Sequence, residues 1–519
     1  MSSHQLKRKT LQRQSRRYTF TVSALVGGVA GLMAVFYQLS VAVLSGWELS
    51  LPALTKSSGW WLPWLLAPVG GVLGWSAVRL AQKFAPSAGG SGIPHVKAVL
   101  LGLREFRPGP LVVVKLGAGL LALAAGMSLG REGPTIHIGA ACAAWLAFRL
   151  NAPARTQKNL IAAGAGAGLA AAFNAPLAGF LFTMEELRRE MSRLTYGSAL
   201  VATVASVAVA RMCLGQGSAF DLLDGSPVPL KCLPVVMLVG LLGSLWGVAF
   251  NRLLMWLLDK RDKARVPVPM WGFLVGALAM LMLCWWNPLT GGGHLLTHQA
   301  LRGELHLGLW VLLAWLVVKF FFTLFSYATG VPGGLFGPLL SLGALWGTFC
   351  GVLLQGWLPE WSPAPQVLAT IGMAGVLTGS VRAPLTGVVL IVEMTGEYHL
   401  LYALLLAAWA AYSLAEMLEN EPVYEDLLAR DLKKARTNWK KETRVLEVLI
   451  EPASRLEHKS LSYLADQSEL LVALIERDGE VVIPHGAMRL QAGDMLTVLA
   501  GSTLSEEQLM AFLEMTKGP

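Results

Sequence analysis

The sequence predicts an all-α polytopic membrane protein with a small soluble α+β domain at its C-terminal end. The first observation is composition: 54% of the 519 residues are hydrophobic and only 14% are charged, whereas soluble domains carry about 25% charged residues. The second is a series of apolar segments, each about as long as a bilayer is thick. The third is that this hydrophobic signal stops near Leu418, where charged and strand-like sequence follows.

The first element is a basic segment, residues 1–17, followed by a long apolar stretch, roughly 18–43. The segment contains six Lys or Arg residues and no Asp or Glu. A cleaved signal peptide has a shorter apolar core and a small-residue cleavage site. We therefore expect an uncleaved first helix with a cytoplasmic N-terminus, because cytoplasmic ends and loops carry the excess of positive charge.

Charge is distributed unevenly along the chain. The net charge is +9, but from Lys441 onward seven Lys or Arg face thirteen Asp or Glu, so residues 1–440 carry +15. This excess indicates membrane topology and not nucleic-acid binding. The five cysteines are scattered singly, without a CxxC or Cys/His cluster. They predict neither a disulfide framework nor a metal site.

The apolar segments fall into two length classes. The long ones lie near 18–43, 60–83, 110–127, 194–214, 230–258, 268–286, 308–328, 335–356 and 399–418. The shorter ones, interrupted by Gly and Pro, lie near 92–103, 136–149, 158–173, 176–187 and 365–395. A perpendicular span needs about 20 residues, so the short segments cannot all cross. Short, broken segments at matching places in two halves indicate a transporter site near the midplane.

Several motifs occur twice. Residues 113–115 (VVK) recur at 317–319, and the GxxGP of 130–134 recurs at 334–338, both at an offset of 204. A second block, APLxG followed by a glutamate, stands at 175–185 and again at 383–393, at an offset of 208.

Several matches in order indicate a duplicated half. The halves span about 18–215 and 230–430 of a membrane domain at 18–430. The offsets alone leave open whether the halves are inverted or parallel.

A linker at 431–444 leads to a domain at 445–519 with a different pattern. Short strands rich in Val, Leu and Ile are predicted at 445–450, 470–475, 480–483 and 495–499, with turns at 478–480 and 491–494. Ser505 and Gln508 form a capping box that opens a last helix, ending near Met515.

Arg131 and Glu132 stand between glycines inside otherwise apolar sequence. Ionisable residues within a membrane are costly and are functional candidates by default. The alternative is a mutually satisfied structural ion pair.

Four loops precede apolar segments: 90–94 (GSGIP), 130–134 (GREGP), 333–338 (GGLFGP) and 421–424 (EPVY). Glycine allows close backbone approach, and proline suits the first helical turn. Unpaired N–H groups and the helix dipole make such helix starts attractive to anions. Several starts converging inside a membrane would bind an anion weakly enough to release it. Each loop alone could be an ordinary helix cap.

Together and in this order, these motifs strongly resemble those of the CLC family of chloride channels and chloride/proton antiporters. The resemblance covers roughly residues 20–430. It implies a fold of inverted halves with broken helices, and a homodimer with one independent anion path per subunit.

The resemblance also implies roles for individual residues. Ser91 and Tyr424 correspond to the hydroxyls that coordinate the central chloride, and the backbone amides of Leu335 and Phe336 to its other ligands. Glu132 corresponds to the gating glutamate, which occupies the anion site when ionised and leaves it when protonated. The supporting loop residues are Gly90, Gly92, Pro94, Gly130, Arg131, Gly133, Pro134, Gly334, Gly337 and Pro338.

A second carboxylate distinguishes antiporter from channel. Residues 182–188 resemble the segment in which antiporters place an intracellular proton-relay glutamate, here Glu186. The alternative is that Glu185 and Glu186 form a solvated cluster with Arg188 and Arg189, and Glu185 in particular has a repeat partner that suggests a scaffold role. Serine at position 91 favours chloride over the fluoride- or nitrate-preferring variants.

The tail resembles the C-terminal subdomain of RCK (regulator of potassium conductance) proteins, through residues 476–494. This resemblance implies regulation by an unknown small ligand; the alternative is an appendage that stabilises a dimer. His458 and His485 are candidates for pH sensing or metal binding, although single histidines in small domains are usually neither.

The sequence therefore predicts a chloride/proton antiporter of a bacterial inner membrane, with multiple spans and a cytoplasmic C-terminal domain. Its expected partners are membrane lipid and a second copy of the chain; chloride and protons are the transported ions. We expect no cofactor, metal, nucleic acid or enzymatic activity. The alternative is a passive, proton-gated chloride channel, with or without regulation by a ligand of the C-terminal domain.

Overall fold

The structure, a computed structural model of the whole chain, describes residues 3–189, 193–217, 219–220, 222, 227–438, 444–465, 470–477, 480–500, 512 and 514–516. The chain forms two compact units, 1–428 and 429–519. The first is helical and carries the candidate site. The second contains the sheet.

The first half of the helical unit alternates long and short helices. They are α1 (Ser3–Ser58), α2 (Leu62–Phe84), α3 (Ile93–Leu100), α4 (Pro108–Ala124), α5 (Glu132–Arg149), α6 (Ala154–Phe173), α7 (Pro176–Phe182) and α8 (Arg193–Leu214). A π-helical turn, Thr183–Arg188, continues α7.

The second half repeats this order. Its helices are α9 (Leu233–Lys263), α10 (Val268–Trp285), α11 (His294–Leu301), α12 (Leu309–Ala328), α13 (Phe336–Trp357), α14 (Pro365–Val381), α15 (Pro384–Thr395) and α16 (Leu401–Met417). Helix α17 (Val423–Asn438) follows.

The helices of the two halves break at corresponding places, with the same backbone conformation. Helix α6 ends on Asn174 and α14 ends on Arg382, both in the left-handed conformation, with φ of 56° and 65°. In each half a proline then starts the next helix, at Pro176 and Pro384. A left-handed residue ends a helix and a proline suits the first turn of the next, which explains why the APLxG block is duplicated.

Among the described residues, eight helices are long and apolar enough to cross a membrane. Three expectations from the sequence need correction. The segment 110–127 is only the 17-residue helix α4, because Gly126 adopts φ 81° beyond its end. The segment 365–395 is two helices, and the first apolar stretch belongs to a helix that continues to Ser58.

Glycines let the two halves pack closely. A Cβ on Gly70 of α2 would lie 2.5 Å from the carbonyl oxygen of Gly276 on α10, and one on Gly272 would lie 2.8 Å from that of Gly74. Small residues four apart allow helix backbones to approach in a membrane protein. The contact is reciprocal, as expected for halves related by an approximate two-fold axis.

The C-terminal unit contains a four-stranded antiparallel sheet of order β1-β4-β2-β3. The strands are β1 (Arg444–Leu449), β2 (Leu470–Arg477), β3 (Glu480–Val482) and β4 (Met495–Ala500), with helix α18 (Leu461–Ala465). The sequence missed α18. The predicted capping box and residues 478–479 of the predicted turn lie outside the described residues.

One buried ion pair stabilises this small unit. Asp494 is fully buried and accepts two hydrogen bonds of 2.7 Å from Arg477 and one of 2.8 Å from the Gln491 amide. Burial raises the pKa of Asp494, but these bonds outweigh it and hold the pKa below its ordinary value.

Candidate functional site

Three of the glycine-rich loops meet inside the helical unit. Gly130 and Gly334 exchange backbone hydrogen bonds of 2.8 and 2.7 Å, and Gly333 donates to the Gly90 carbonyl at 3.0 Å. A Cβ on Gly133 would lie 2.7 Å from Gly334 Cα and 3.0 Å from the Ser91 carbonyl oxygen. Glycine is therefore required where three of the predicted loops meet.

The helix starts predicted to face an anion are gathered around this crossing. Helix α3 begins after Gly92, which has φ 86°, with Pro94 in its first turn. Glu132, Gly133 and Pro134 form the first turn of α5, whereas the sequence placed them in a loop before a helix. Phe336, Gly337 and Pro338 open α13, and Val423 opens α17.

The predicted chloride ligands are all buried here. The Phe336 and Tyr424 rings stack with their centroids 6.0 Å apart at 23°. Tyr424 is fully buried, and its hydroxyl has no hydrogen-bond partner among the described groups. Ser91 is buried, and its Oγ accepts the Ile93 amide at 3.4 Å. The unpaired Tyr424 hydroxyl and the α13 first-turn amides can both donate to an anion.

The Glu132 carboxylate lies against the start of α13. Its side chain is fully buried, and a Cβ on Gly337 would lie 3.2 Å from its Oε2. Its Oε1 lies 3.0 Å from His294 Nε2, while its Oε2 has no hydrogen-bond partner among the described groups. The hydrogen-bond partner of Glu132 is thus His294 and not Arg131, so the structural Arg131–Glu132 ion pair weighed from the sequence is not observed.

Two buried lysines support the loops in the same way. Lys115 donates to the carbonyls of Ala88 and Gly90 at 2.9 and 2.7 Å. In the other half, Lys319 donates to Leu289 at 3.0 Å and to Gly291 at 3.1 Å. These lysines are the last residues of the duplicated VVK motif, and each anchors the loop that precedes a short helix, α3 or α11.

Glu186 lies at the buried end of an ion-pair chain. Lys97 Nζ is 2.6 Å from Glu186 Oε1 and 2.7 Å from Glu425 Oε1, and Arg189 is 2.9 Å from the same Glu425 oxygen. Lys97 and Glu186 are only 5% and 2% exposed. The alternative weighed from the sequence, a solvated cluster of Glu185 and Glu186 with Arg188 and Arg189, does not describe Glu186, because its cation comes from α3 and its side chain is almost completely buried.

A cavity of about 860 Å³ reaches Glu186. Its lining includes Glu185, Arg189, Arg382 and Tyr412. The buried carboxylate therefore borders a cavity as well as closely packed side chains.

The neighbouring Glu185 has a different role. Its carboxylate accepts the amides of Leu385 and Thr386, in the first turn of α15, at 3.2 and 2.7 Å. Reciprocally, Glu393 of α15 accepts the amides of Leu177 and Ala178, in the first turn of α7. Each glutamate caps a helix in the opposite half, in agreement with the scaffold role inferred from the repeat.

A histidine pair lies between α3 and α5. His95 Nδ1 is 2.9 Å from His137 Nε2, and both side chains are buried. The His137 ring lies against Gly92, where any side chain would overlap with it. No group of three or more metal-ligating side chains occurs in the part of the chain that the structure describes.

The comparisons with known proteins agree with this geometry. The family described as "Voltage gated chloride channel" matches residues 73–416, two thirds of the chain. The chain belongs to the CLC family. The TrkA-C domain family matches residues 445–507, in agreement with the resemblance to RCK proteins.

Three relatives illustrate the CLC similarity. The H(+)/Cl(-) exchange transporter ClcA of Vibrio cholerae serotype O1 is 36% identical over 79% of this chain and 89% of its own. ClcA of Cronobacter sakazakii is 35% identical over 82% and 93%. A crystallised slow cyanobacterial Cl-/H+ antiporter is 32% identical and superposes with a TM-score of 0.76 over 80% of this chain and 98% of its own.

Two residues that contact the predicted site residues were not identified from the sequence. His294 follows Gly291, Gly292 and Gly293, which repeat the loop 90–92 at an offset of 201; comparing loops by glycine spacing would have found it. Lys97 lies inside a short apolar helix. An ionisable residue in such a segment is a functional candidate for the same reason as Glu132.

Proposed function

We propose that this protein is a chloride/proton antiporter, in which chloride moves across the membrane in exchange for protons. The observation that carries the proposal is the buried Glu132 carboxylate lying against the first turn of α13, in the place where an anion would be attracted. A negatively charged side chain and chloride compete for one position. The exchange of protons and chloride for which the ClcA relatives are named supports the same assignment.

Chloride is held by neutral donors in this proposal. The ligands are the hydroxyls of Ser91 and Tyr424 and the amides of Leu335 and Phe336. Helix-start amides and hydroxyls attract an anion without a fixed full charge, so the ion can leave again. The loop glycines matter because any side chain at the crossing would displace the backbone.

Glu132 is the gate and the outer proton carrier. As a carboxylate it occupies the anion position and excludes chloride. Protonation removes its charge and its attraction to the α13 start, so the side chain leaves and chloride enters. Each chloride passage is thereby linked to protonation of one side chain.

Glu186 is the second proton carrier, on the side of the cavity described above. It receives protons through that cavity and passes them towards Glu132. Tyr424 lies within electrostatic range of both carboxylates, which supports a short separation between the two carriers. Lys97 opposes the effect of burial and so favours the return of Glu186 to its ionised form after each transfer.

The alternative is a passive proton-gated chloride channel. One observation favours it: Glu186 is paired with Lys97, as expected of a carboxylate with a purely structural role. The two functions differ in the reversal potential of purified protein in liposomes under opposed chloride and proton gradients. Exchange predicts a reversal potential that depends on both gradients. A potential that follows chloride alone would contradict antiport.

For the assembly we propose a homodimer in lipid with one anion path per subunit, and no enzymatic activity. We propose a bacterial inner-membrane location with the N-terminus and the C-terminal domain in the cytoplasm. The basic residues of 1–17 support this orientation. Protease accessibility of the tail in right-side-out and inverted vesicles tests it, since the tail should be cut only in inverted vesicles.

The domain organisation we propose is a membrane domain at 18–430, a linker at 431–444 and a regulatory domain at 445–519. The TrkA-C match supports a regulatory role through an unidentified small ligand. Removing the residues after Lys441 should change regulation and spare the ion path. Loss of the folded dimer would instead favour the stabilising role.

A further inference from the structure

We infer that His294 is the group through which Glu132 exchanges protons with water, an inference that rests on the proposed antiport. The two side chains meet directly: His294 Nε2 lies 3.0 Å from Glu132 Oε1. Proton transfer requires such hydrogen-bond reach. The pair joins the first residue of α5 to the first residue of α11, one from each half.

The two residues differ in their access to water. Glu132 is fully buried, whereas the His294 side chain is 33% exposed. A proton from solution can reach the exposed part of the imidazole. It cannot reach the buried carboxylate in this position unless the surrounding side chains move. His294 therefore stands on the route between the two.

The ring and the loop that carries it are both held in place. It stacks on buried Phe220, with centroids 5.7 Å apart at 22°. Its loop is anchored by Lys319 through the carbonyls of Leu289 and Gly291. A residue supported in this way keeps its nitrogen aimed at Glu132, as proton transfer requires.

The repeat shows that this chemistry is not part of the shared scaffold. Helices α3 and α11 have eight residues each and follow glycines with φ of 86° and 78°. The first residue is Ile93 in one and His294 in the other. Likewise, Glu132 of α5 is replaced by Phe336 in α13. Both ionisable residues occupy positions that are apolar in the opposite half, and these two residues are the ones that touch.

Imidazole chemistry suits the transfer. Nδ1 takes a proton from hydronium in the solution, which leaves water, while Nε2 gives its own proton to Glu132 Oε1, so a carboxylate and a neutral imidazole become a carboxylic acid and the other neutral tautomer. Loss of the proton on Nδ1 and uptake at Nε2 reset the ring after Glu132 has moved away. No proton is created or lost.

Three charged groups act on His294 among the described residues: Glu132, Arg131 and Lys319. Glu132 favours the imidazolium and the two cations oppose it. Burial opposes the imidazolium more strongly than any of these groups, so the pKa of His294 lies below its ordinary value and the neutral ring is favoured, as the exchange between neutral tautomers requires.

The test compares His294→Phe, which retains an aromatic ring against Phe220, with His294→Gln, which retains a hydrogen bond to Glu132. Full-length protein in liposomes is assayed for proton and chloride flux from pH 5 to 8. Both variants should lose roughly a hundredfold in proton flux, the lower end of what a positioned proton-transfer group contributes. His306→Phe, at an exposed histidine, is the matched control and should retain the wild-type pH profile.

Two further measurements separate a relay from a structural contact. Added imidazole should partly restore proton flux in His294→Ala. In a Glu132→Gln background, His294→Phe should have no further effect on chloride flux, because the relay acts only through the carboxylate. A further loss there would indicate a structural role and overturn the inference.

Wild-type pH profiles in both His294 variants, or full activity in His294→Gln, would also overturn it. Failure of the proposed function would be recognised differently, because the reversal potential of the wild-type protein would then not depend on the proton gradient. A wild type that couples and His294 variants that exchange normally would refute only the relay.

Discussion

Lys97 Nζ lies 2.6 Å from Glu186 Oε1, and both side chains are almost completely buried. Burial disfavours an ionised carboxylate and a neighbouring cation favours it, so removing the cation favours the neutral acid. The strength of this pair therefore determines how readily Glu186 accepts a proton.

Lys97→Met should slow proton flux and move its optimum to higher pH, because Glu186 then keeps its proton. Breaking a buried ion pair costs roughly 3–5 kcal/mol when the remaining charge stays ionised, so protonation is the expected relief. Proton flux measured between pH 5 and 9 checks this. Lys97→Arg, which keeps the charge, is the control. A wild-type profile in Lys97→Met would show that the pair does not govern Glu186.

Glu132→Gln should allow chloride to pass at a rate independent of pH and without proton movement. A neutral amide cannot compete for the anion position as a carboxylate does, and it cannot carry a proton. Chloride efflux and pH-electrode recordings from the same liposomes measure both properties. Glu105→Gln, at an exposed glutamate, should behave as wild type. Proton pumping that persists in Glu132→Gln would place the gate elsewhere.

Glu186→Gln and Glu185→Gln should have opposite consequences although the residues are adjacent. Glu186→Gln should keep chloride flux and lose proton flux, because only the relay is removed. Glu185→Gln should keep coupled exchange and lower the thermal unfolding midpoint, because a weakened helix cap costs about 0.5–2 kcal/mol. Normal proton flux in Glu186→Gln would leave the ion pair with a structural role alone.

Tyr424→Ala should weaken chloride binding about tenfold or more. The variant loses a hydroxyl that can donate to the anion, and a hydrogen bond to a charged group contributes roughly 1.5–3 kcal/mol. It also loses the ring stacked on Phe336. Chloride titration calorimetry of detergent-solubilised protein measures the affinity. Tyr402→Ala removes a ring that is 62% exposed and serves as control; equal affinities in both variants would exclude Tyr424 as a ligand.

The C-terminal unit should lose stability in acid through Asp494. Its pKa in the folded state lies below its ordinary value, so the stabilisation is present above the unfolded pKa of about 3.9 and disappears as pH falls through the folded pKa. The amides of strand β2 in the full chain should lose protection against hydrogen exchange below about pH 4, compared with the exchange rate of an unstructured peptide at the same pH.

The matched variants for this prediction are Arg477→Met and Arg455→Met. Arg477→Met should accelerate exchange even at pH 7, because it leaves a buried charge without its partner. Arg455 is exposed, and its replacement should have no effect. Equal exchange in both would show that the Arg477–Asp494 pair does not stabilise the sheet.

The helix breaks and the duplicated halves could be predicted from the sequence because glycine and proline act locally. Gly92 and Gly293 take positive φ, and Pro176 and Pro384 start helices, whatever surrounds them. Such motifs, at specific intervals, sufficed to indicate the CLC family. The end of α4 was predicted less well because its apolar sequence continues past the residue where the backbone turns.

Which side chains meet was decided only by the tertiary structure. His294 is 162 residues from Glu132, and Lys97 is 89 residues from Glu186; no local pattern connects the members of either pair. Their contacts depend on how two halves cross at Gly130 and Gly334, a long-range packing of backbones. The sequence by itself thus determined where the chain breaks and which residues are ionisable, while the crossing of the halves determined which of them can exchange a proton.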